Sequence, residues 1–104
     1  MDLNKKNKLK KAGWKVGNTK DFLGLTDAES EYIDIKVSFG RSVRELRTKS
    51  KITQVELAEM VESSQSRIAK LEAGDPSVSL DLQIKTLLAL GASRIDLARY
   101  LKGN

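Results

Sequence analysis

Residues 54–74 read QVELAEMVESSQSRIAKLEAG, and they follow directly on Thr53. Thr53 and Glu56 have the spacing of a capping box, in which the hydroxyl and the carboxylate each accept a backbone N–H that the first helical turn leaves over. A short helix is therefore expected over about 54–60, with Leu57 and Ala58 facing inward. The turn VESS follows, at residues 61–64. Ser64 can cap a second helix from Gln65 to about Ala73, with Ile68 and Leu71 inward. Gly74 is a natural helix stop, and Asp75-Pro76 makes the exit turn. Small Ala58 stands where the two helices come closest, and Val61 and Ile68 are placed to pack between them. Such a pair holds its second helix proud of the domain, able to enter a DNA major groove. The outward residues of that helix are Gln65, Ser66 and Lys70, with Arg67 toward one edge. All four can bond base edges or phosphates, and none is acidic. Glu56 and Glu59 must face away from DNA or lie in side-chain pairs.

On the N-terminal side, Phe22, Leu23 and Leu25 form a small apolar cluster. Thr26-Asp-Ala-Glu29 is another capping box, so a helix should start at Asp27. Its apolar positions, Tyr32, Ile33, Val37, Val43 and Leu46, are mostly three or four apart and predict one buried stripe. Gly40 weakens a helix by about 1 kcal/mol relative to alanine. One helix to about Lys49 and two helices meeting at Gly40 are both open. On the C-terminal side, Ser79 can cap a helix with Leu82, Leu87, Leu88 and Leu90 as apolar positions, ending at Gly91. Ser93 opens a last helix carrying Ile95, Leu97, Ala98 and Leu101. The fold class expected is all-α, with five helices and short connections over residues 26–104, preceded by a basic leader at 1–25.

The 104 residues carry a net charge of +5, and its placement is uneven. Lys5, Lys6, Lys8, Lys10, Lys11 and Lys15 face a single acid, Asp2, within residues 1–15, which accounts for the whole excess. The body is neutral, so any DNA affinity it has must come from one-sided placement of charge. Residues 1–12 have too few apolar side chains to fold alone, so the leader is expected to be partly disordered. Trp14 and Val16, between Gly13 and Gly17, read as a short strand or a docking segment. Cysteine and histidine are both absent. That removes thiolate and imidazole chemistry, the commonest metal ligands and the commonest general base. No cofactor, metal or enzymatic activity is expected. No apolar run suggests a signal peptide or a membrane span, and a cytoplasmic location is expected.

TQVELAEMVESSQSRIAKLEAG resembles, without a gap, the Cro/repressor (XRE-type) helix-turn-helix. The resemblance continues through SLDLQIKTLLALGAS as the family's fourth helix and turn, and back to VRELRTKSKIT as its first. It implies a recognition helix at Ser64–Ala73 with Gln65, Ser66 and Lys70 toward bases. Gln54 would hold a phosphate and brace Gln65, and Ser64 and Arg67 would lie at phosphates. Arg47 and Glu72 stand where this family often places an ion pair between its first and third helices. The sequence departs from the family in the turn, where Glu62 stands in place of the usual glycine. A left-handed conformation there carries strain of about 1 kcal/mol, with a carboxylate near phosphates. GWKVGNTKDFLGLTDAESEYIDIK is in turn similar to the leader of HigA-like antitoxins. It implies a RelE/HigB-like toxin as partner, contacted through Trp14 and Val16.

Several residues keep two readings. Trp14 either packs on its own domain or is ordered by a partner chain. The lysine run is either a solubilising end or a contact to a partner or to DNA. Ile95, Tyr100 and Leu101 serve either the core or a homodimer interface, since one reading helix per chain needs a two-fold partner to read two half-sites. The function expected is a sequence-specific repressor on double-stranded operator DNA, acting as antitoxin in a toxin–antitoxin pair. A free-standing phage-type repressor and a protein-interaction module are the alternatives.

Overall fold

The computed structural model describes residues 26–103. Among them are five α-helices and no strand: α1 (Asp27–Lys49), α2 (Gln54–Met60), α3 (Gln65–Ala73), α4 (Leu80–Ala89) and α5 (Arg94–Leu101). Contacts divide the chain into Met1–Ser30 and Glu31–Asn104. In the first unit, Thr26 N–H donates to Glu29 Oε1 at 2.9 Å and Glu29 N–H to Thr26 Oγ1 at 3.0 Å, so the capping box forms. The apolar cluster of Phe22, Leu23 and Leu25, and Trp14 and Val16, lie outside the described residues.

In the second unit, each of the four later helices begins at a hydroxyl that accepts a first-turn N–H: Thr53, Ser64, Ser79 and Ser93. Glu56 completes the box at Thr53, and Asp96 completes another at Ser93. These caps are local chemistry, which is why the helix starts follow from sequence. The core gathers Phe39 and Val43 of α1, Leu57 and Ala58 of α2, Ile68 and Leu71 of α3, Val78 from the α3–α4 turn, Leu87 of α4 and Ala92.

Residues 27–49 form one helix, not two. Gly40 is a place of close approach rather than a break. A Cβ there would stand 2.5 Å from the carbonyl oxygen of Leu71 and 2.9 Å from that of Glu72, so only glycine lets α1 pass the C-terminal turn of α3.

The buried stripes differ from the apolar patterns. On α1 the buried positions are Lys36, Ser38, Phe39, Gly40, Ser42 and Val43, while Tyr32, Ile33 and Val37 are exposed. On α4, Gln83, Thr86 and Leu87 are buried and Leu88 is exposed. The reason is polar. Gln83 Nε2 donates to the carbonyls of Lys36 at 2.9 Å and Leu71 at 3.3 Å, tying α1 and α3 to α4. An amide nitrogen that finds acceptors inside can be buried although its residue type says outside. On α5, Ile95 is 75% exposed and Leu101 is exposed as well. Tyr100 is half-buried against the core, and its carbonyl accepts from Ser38 Oγ at 2.5 Å.

Candidate nucleic-acid interface

α3 buries Ile68 and Leu71 completely and turns Gln65, Ser66, Arg67 and Lys70 outward, all exposed. Its N-terminus is fixed by Ser64, whose Oγ accepts from Arg67 N–H at 3.1 Å. Its C-terminus closes at Gly74, in the left-handed conformation at φ 74°. A Cβ at Gly74 would fall 2.9 Å from the Cα of Val37, so this stop is also a contact with α1. The helix is thus held at both ends and along one face, leaving the other face free.

On the flank toward α2, a line of hydrogen bonds runs from α1 to the outer face. Arg47 Nε donates to Glu72 Oε2 at 2.5 Å and Arg47 Nη2 to Glu72 Oε1 at 3.2 Å. Arg47 Nη1 also donates to the carbonyl of Ile52, at 2.9 Å. Gln54 Nε2 donates to the same Glu72 Oε1 at 3.0 Å. Gln65 Nε2 then donates to Gln54 Oε1 at 2.7 Å. The direction of this line is set by Glu72. An ionised carboxylate only accepts, so Gln54 must turn its amide nitrogen toward it and its oxygen toward Gln65. Gln65 is left with one free N–H and its own carbonyl oxygen. A groove of about 510 Å³ opens beside the line, bordered by Arg47, Lys51, Thr53, Gln54, Val55 and Gln65 among others.

On the opposite flank, Ser64, Ser66, Arg67 and Lys70 share a second cleft, about 260 Å³, with Ser77 and Val78 of the turn after α3. Two cations and three hydroxyls line it, a composition suited to an anion. The turn is shaped by Asp75, whose Oδ1 accepts from Ser77 N–H at 2.8 Å. Ser77's side-chain and backbone hydrogen bonds hold the Asp75 carboxyl below its ordinary value of 3.8, with burial opposing and the charges of Lys70 and Lys36 assisting. A lowered carboxyl value adds stability that is complete above the unfolded value. That stability is lost as pH falls through the folded value. The turn is therefore fully tied at neutral pH and loosens only below about pH 4.

Glu62 has φ 56° and Lys51 has φ 61°, both left-handed. Glu62 lies within the turn between α2 and α3, on the surface. Glu62→Gly is expected to raise stability by about 1 kcal/mol, because glycine adopts this conformation without the Cβ clash. Urea unfolding of the two chains checks this; an unchanged midpoint means that the turn is unstrained. Of the acids of α2, Glu56 is engaged in the capping box at Thr53, through Thr53 N–H to Oε1 at 2.8 Å, while Glu59 is exposed.

Lys36, Gln83 and the bond from Gln54 to Glu72 escape a reading of the sequence. Charged and amide residues score as surface, and residues 18 apart show no local signal of contact. Among the described residues no group of histidine, cysteine, aspartate or glutamate is arranged to hold a metal ion, and no helix is long and apolar enough to cross a membrane.

A family profile described as "Helix-turn-helix" matches residues 43–97, more than half of the chain. Comparison with curated proteins and with solved structures gives no match.

Proposed function

Because this chain belongs to the Cro/C1-type helix-turn-helix family of DNA-binding transcription regulators, we propose that it is a sequence-specific repressor that lays α3 in the major groove of operator DNA. The observation that carries the proposal is the outer face of α3, where Gln65, Ser66, Arg67 and Lys70 stand exposed on a helix whose other face is wholly buried. Gln65, Ser66 and Lys70 are the base-reading residues in this proposal, and Gln54, Ser64 and Arg67 bind phosphates. The polarity of the Gln54–Gln65 bond favours adenine opposite Gln65. A free N–H and a free carbonyl oxygen are the pair that matches adenine N7 and N6–H. Arg47 and Glu72 hold this arrangement from behind.

The test is selection of bound duplexes from random-sequence DNA, followed by fluorescence anisotropy on the selected duplex and a scrambled one. Gln65→Ala and Lys70→Ala are each expected to cost about 1–3 kcal/mol of specific binding while leaving the fold intact. Unchanged discrimination in both variants would place the readout elsewhere.

The proposal includes a two-fold homodimer, with recognition helices about 34–36 Å apart to meet successive half-sites. The exposed Ile95 and Leu101, with Tyr100 beside them, are offered as its apolar patch. Sedimentation showing a monomer both free and on a palindromic duplex would remove it. The proposal also gives the protein an antitoxin role toward a RelE/HigB-like toxin, with Trp14 and Val16 as the contact. The support is the similarity of residues 13–36 to antitoxin leaders. An aromatic anchor suits a protein interface better than a phosphate backbone. Deleting residues 1–18 should abolish growth rescue against the cognate toxin while sparing operator binding. A truncated chain that still rescues would leave the plain-repressor reading in its place.

A further inference from the structure

Among the described residues Lys36 is the one buried cation, 3% exposed, and it lies before the stretch that matches the family profile. Its ammonium donates to the carbonyl of Pro76 at 3.0 Å and to the carbonyl of Val78. The ring of Tyr32, one turn earlier on α1, lies 5.5 Å from the nitrogen. Its own carbonyl accepts from Gln83 Nε2. The ammonium therefore ties the turn between α3 and α4 back to α1. Burying a charge is costly unless it is hydrogen-bonded, and a methionine or leucine would fill the same space without that cost. What the charge adds is a fixed position for the two carbonyls.

Those carbonyls bracket Ser77. Ser77 and Val78 are one wall of the 260 Å³ cleft whose other wall is Ser64, Ser66, Arg67 and Lys70 of α3. The turn also has its own local bonds, Asp75 N–H to the Lys70 carbonyl at 3.0 Å, Val78 N–H to the Asp75 carbonyl at 3.1 Å and Ser77 N–H to Asp75 Oδ1 at 2.8 Å, and the Val78 side chain is buried in the core. These set the curl of the turn. The bonds from Lys36 add a hold from α1 on the two carbonyls that flank Ser77.

We propose that Lys36 is a positioning residue for DNA binding: its buried ammonium holds the Pro76–Val78 turn so that the cleft between Ser77 and Lys70 fits one backbone phosphate. This rests on the reading of α3 as the recognition helix. The lysine touches no DNA itself.

The test compares the full chain with Lys36→Met, Lys36→Gln, Lys70→Ala and the Lys36→Met/Lys70→Ala double variant. The probe is the duplex that the full chain selects from random DNA, with binding measured across a range of salt. Each phosphate neutralised adds about 0.9 to the slope of log affinity against log salt. Lys36→Met is expected to bind about tenfold more weakly and to lose about one such increment of slope, as Lys70→Ala does. Lys36→Gln, whose shorter amide keeps an N–H donor group without the charge, should fall between Lys36→Met and the unchanged chain. The double variant should lose no more than Lys70→Ala alone, since both act through one cleft. A purely structural lysine would lower the melting temperature and leave the slope alone. An unchanged slope in Lys36→Met, or losses that add in the double variant, would overturn the proposal while leaving the recognition helix in place. Failure of both Lys36 variants to fold would make the lysine a stability residue and overturn it too. If the full chain selects no duplex, the recognition-helix reading fails first and this inference with it.

Discussion

Gly40→Ala is expected to destabilise the fold by about 1–3 kcal/mol, although the same change in an ordinary helix adds about 1 kcal/mol. The reversal of sign is the informative part. The new Cβ would stand 2.5 Å and 2.9 Å from two main-chain oxygens at the end of α3, those of Leu71 and Glu72. Main-chain atoms cannot rotate aside as a side chain can, so α3 must move away from α1 as a body. Leu71 is fully buried, and its carbonyl also accepts from Gln83, so that movement opens the core and strains the tie to α4. It also carries the outer face of α3 out of register, so DNA affinity should fall together with stability. Urea unfolding checks the first effect and anisotropy on the selected duplex the second. A variant as stable as the original chain would mean that α1 and α3 cross less tightly than these distances require.

Glu72→Ala should have a larger effect, about 3–5 kcal/mol, the range found when one partner of a buried ion pair is removed. The side chains of Arg47 and Glu72 are 13% and 5% exposed, so the arginine would be left largely desolvated without its counter-charge. Gln54 Nε2 would lose its acceptor as well. With that bond gone nothing fixes the polarity of the Gln54 amide, and Gln65 loses the orientation that favours adenine. The variant should therefore show two losses: a lower unfolding midpoint, and a weakened preference at one base position in whatever binding remains at low temperature. Replacing both partners by apolar residues of similar size, as in Arg47→Met/Glu72→Leu, should recover much of the stability but not the base preference. Recovery of both would show that the pair has no part in aiming Gln65. A Glu72→Ala chain as stable as the original would show that the pair contributes little.

What the sequence made legible is the local chemistry. Thr26, Thr53, Ser64, Ser79 and Ser93 mark helix starts because a cap and the N–H groups it accepts lie within three residues of each other. Gly74 marks a helix end because left-handed backbone favours glycine. The helix-turn-helix frame follows from these together with Leu57, Ala58, Ile68 and Leu71, whose spacing puts them on facing sides. What was not legible depends on helix crossings. Lys36 and Gln83 are polar residues at core positions, and they are inside because main-chain carbonyls there accept from them: those of Pro76 and Val78 from Lys36, those of Lys36 and Leu71 from Gln83. On the same two helices, Val37 and Leu88 are exposed, against the apolar pattern. Gly40 looked like a weak point in a helix and is a point of contact, which only the path of α3 reveals. At the site, the resemblance implied that Gln54 braces Gln65. That Glu72 sets the direction of that bond depends on α2 and α3 meeting over one carboxylate.

The absence of cysteine from the chain allows a direct test of the central claim, that α3 enters the major groove. A single cysteine placed at Ser66, on the outer face of α3, is coupled to a short-reach photo-crosslinker. A second single-cysteine chain carries the same group at exposed Lys85 of α4 as the control. Each is irradiated on the selected duplex, and the crosslinked nucleotides are mapped. The account predicts crosslinks from position 66 to major-groove base edges within the selected half-site, few or none from position 85, and loss of the position-66 signal on scrambled DNA. Crosslinks from position 85 as strong as those from position 66, or none from position 66 on a duplex that the chain demonstrably binds, would contradict it.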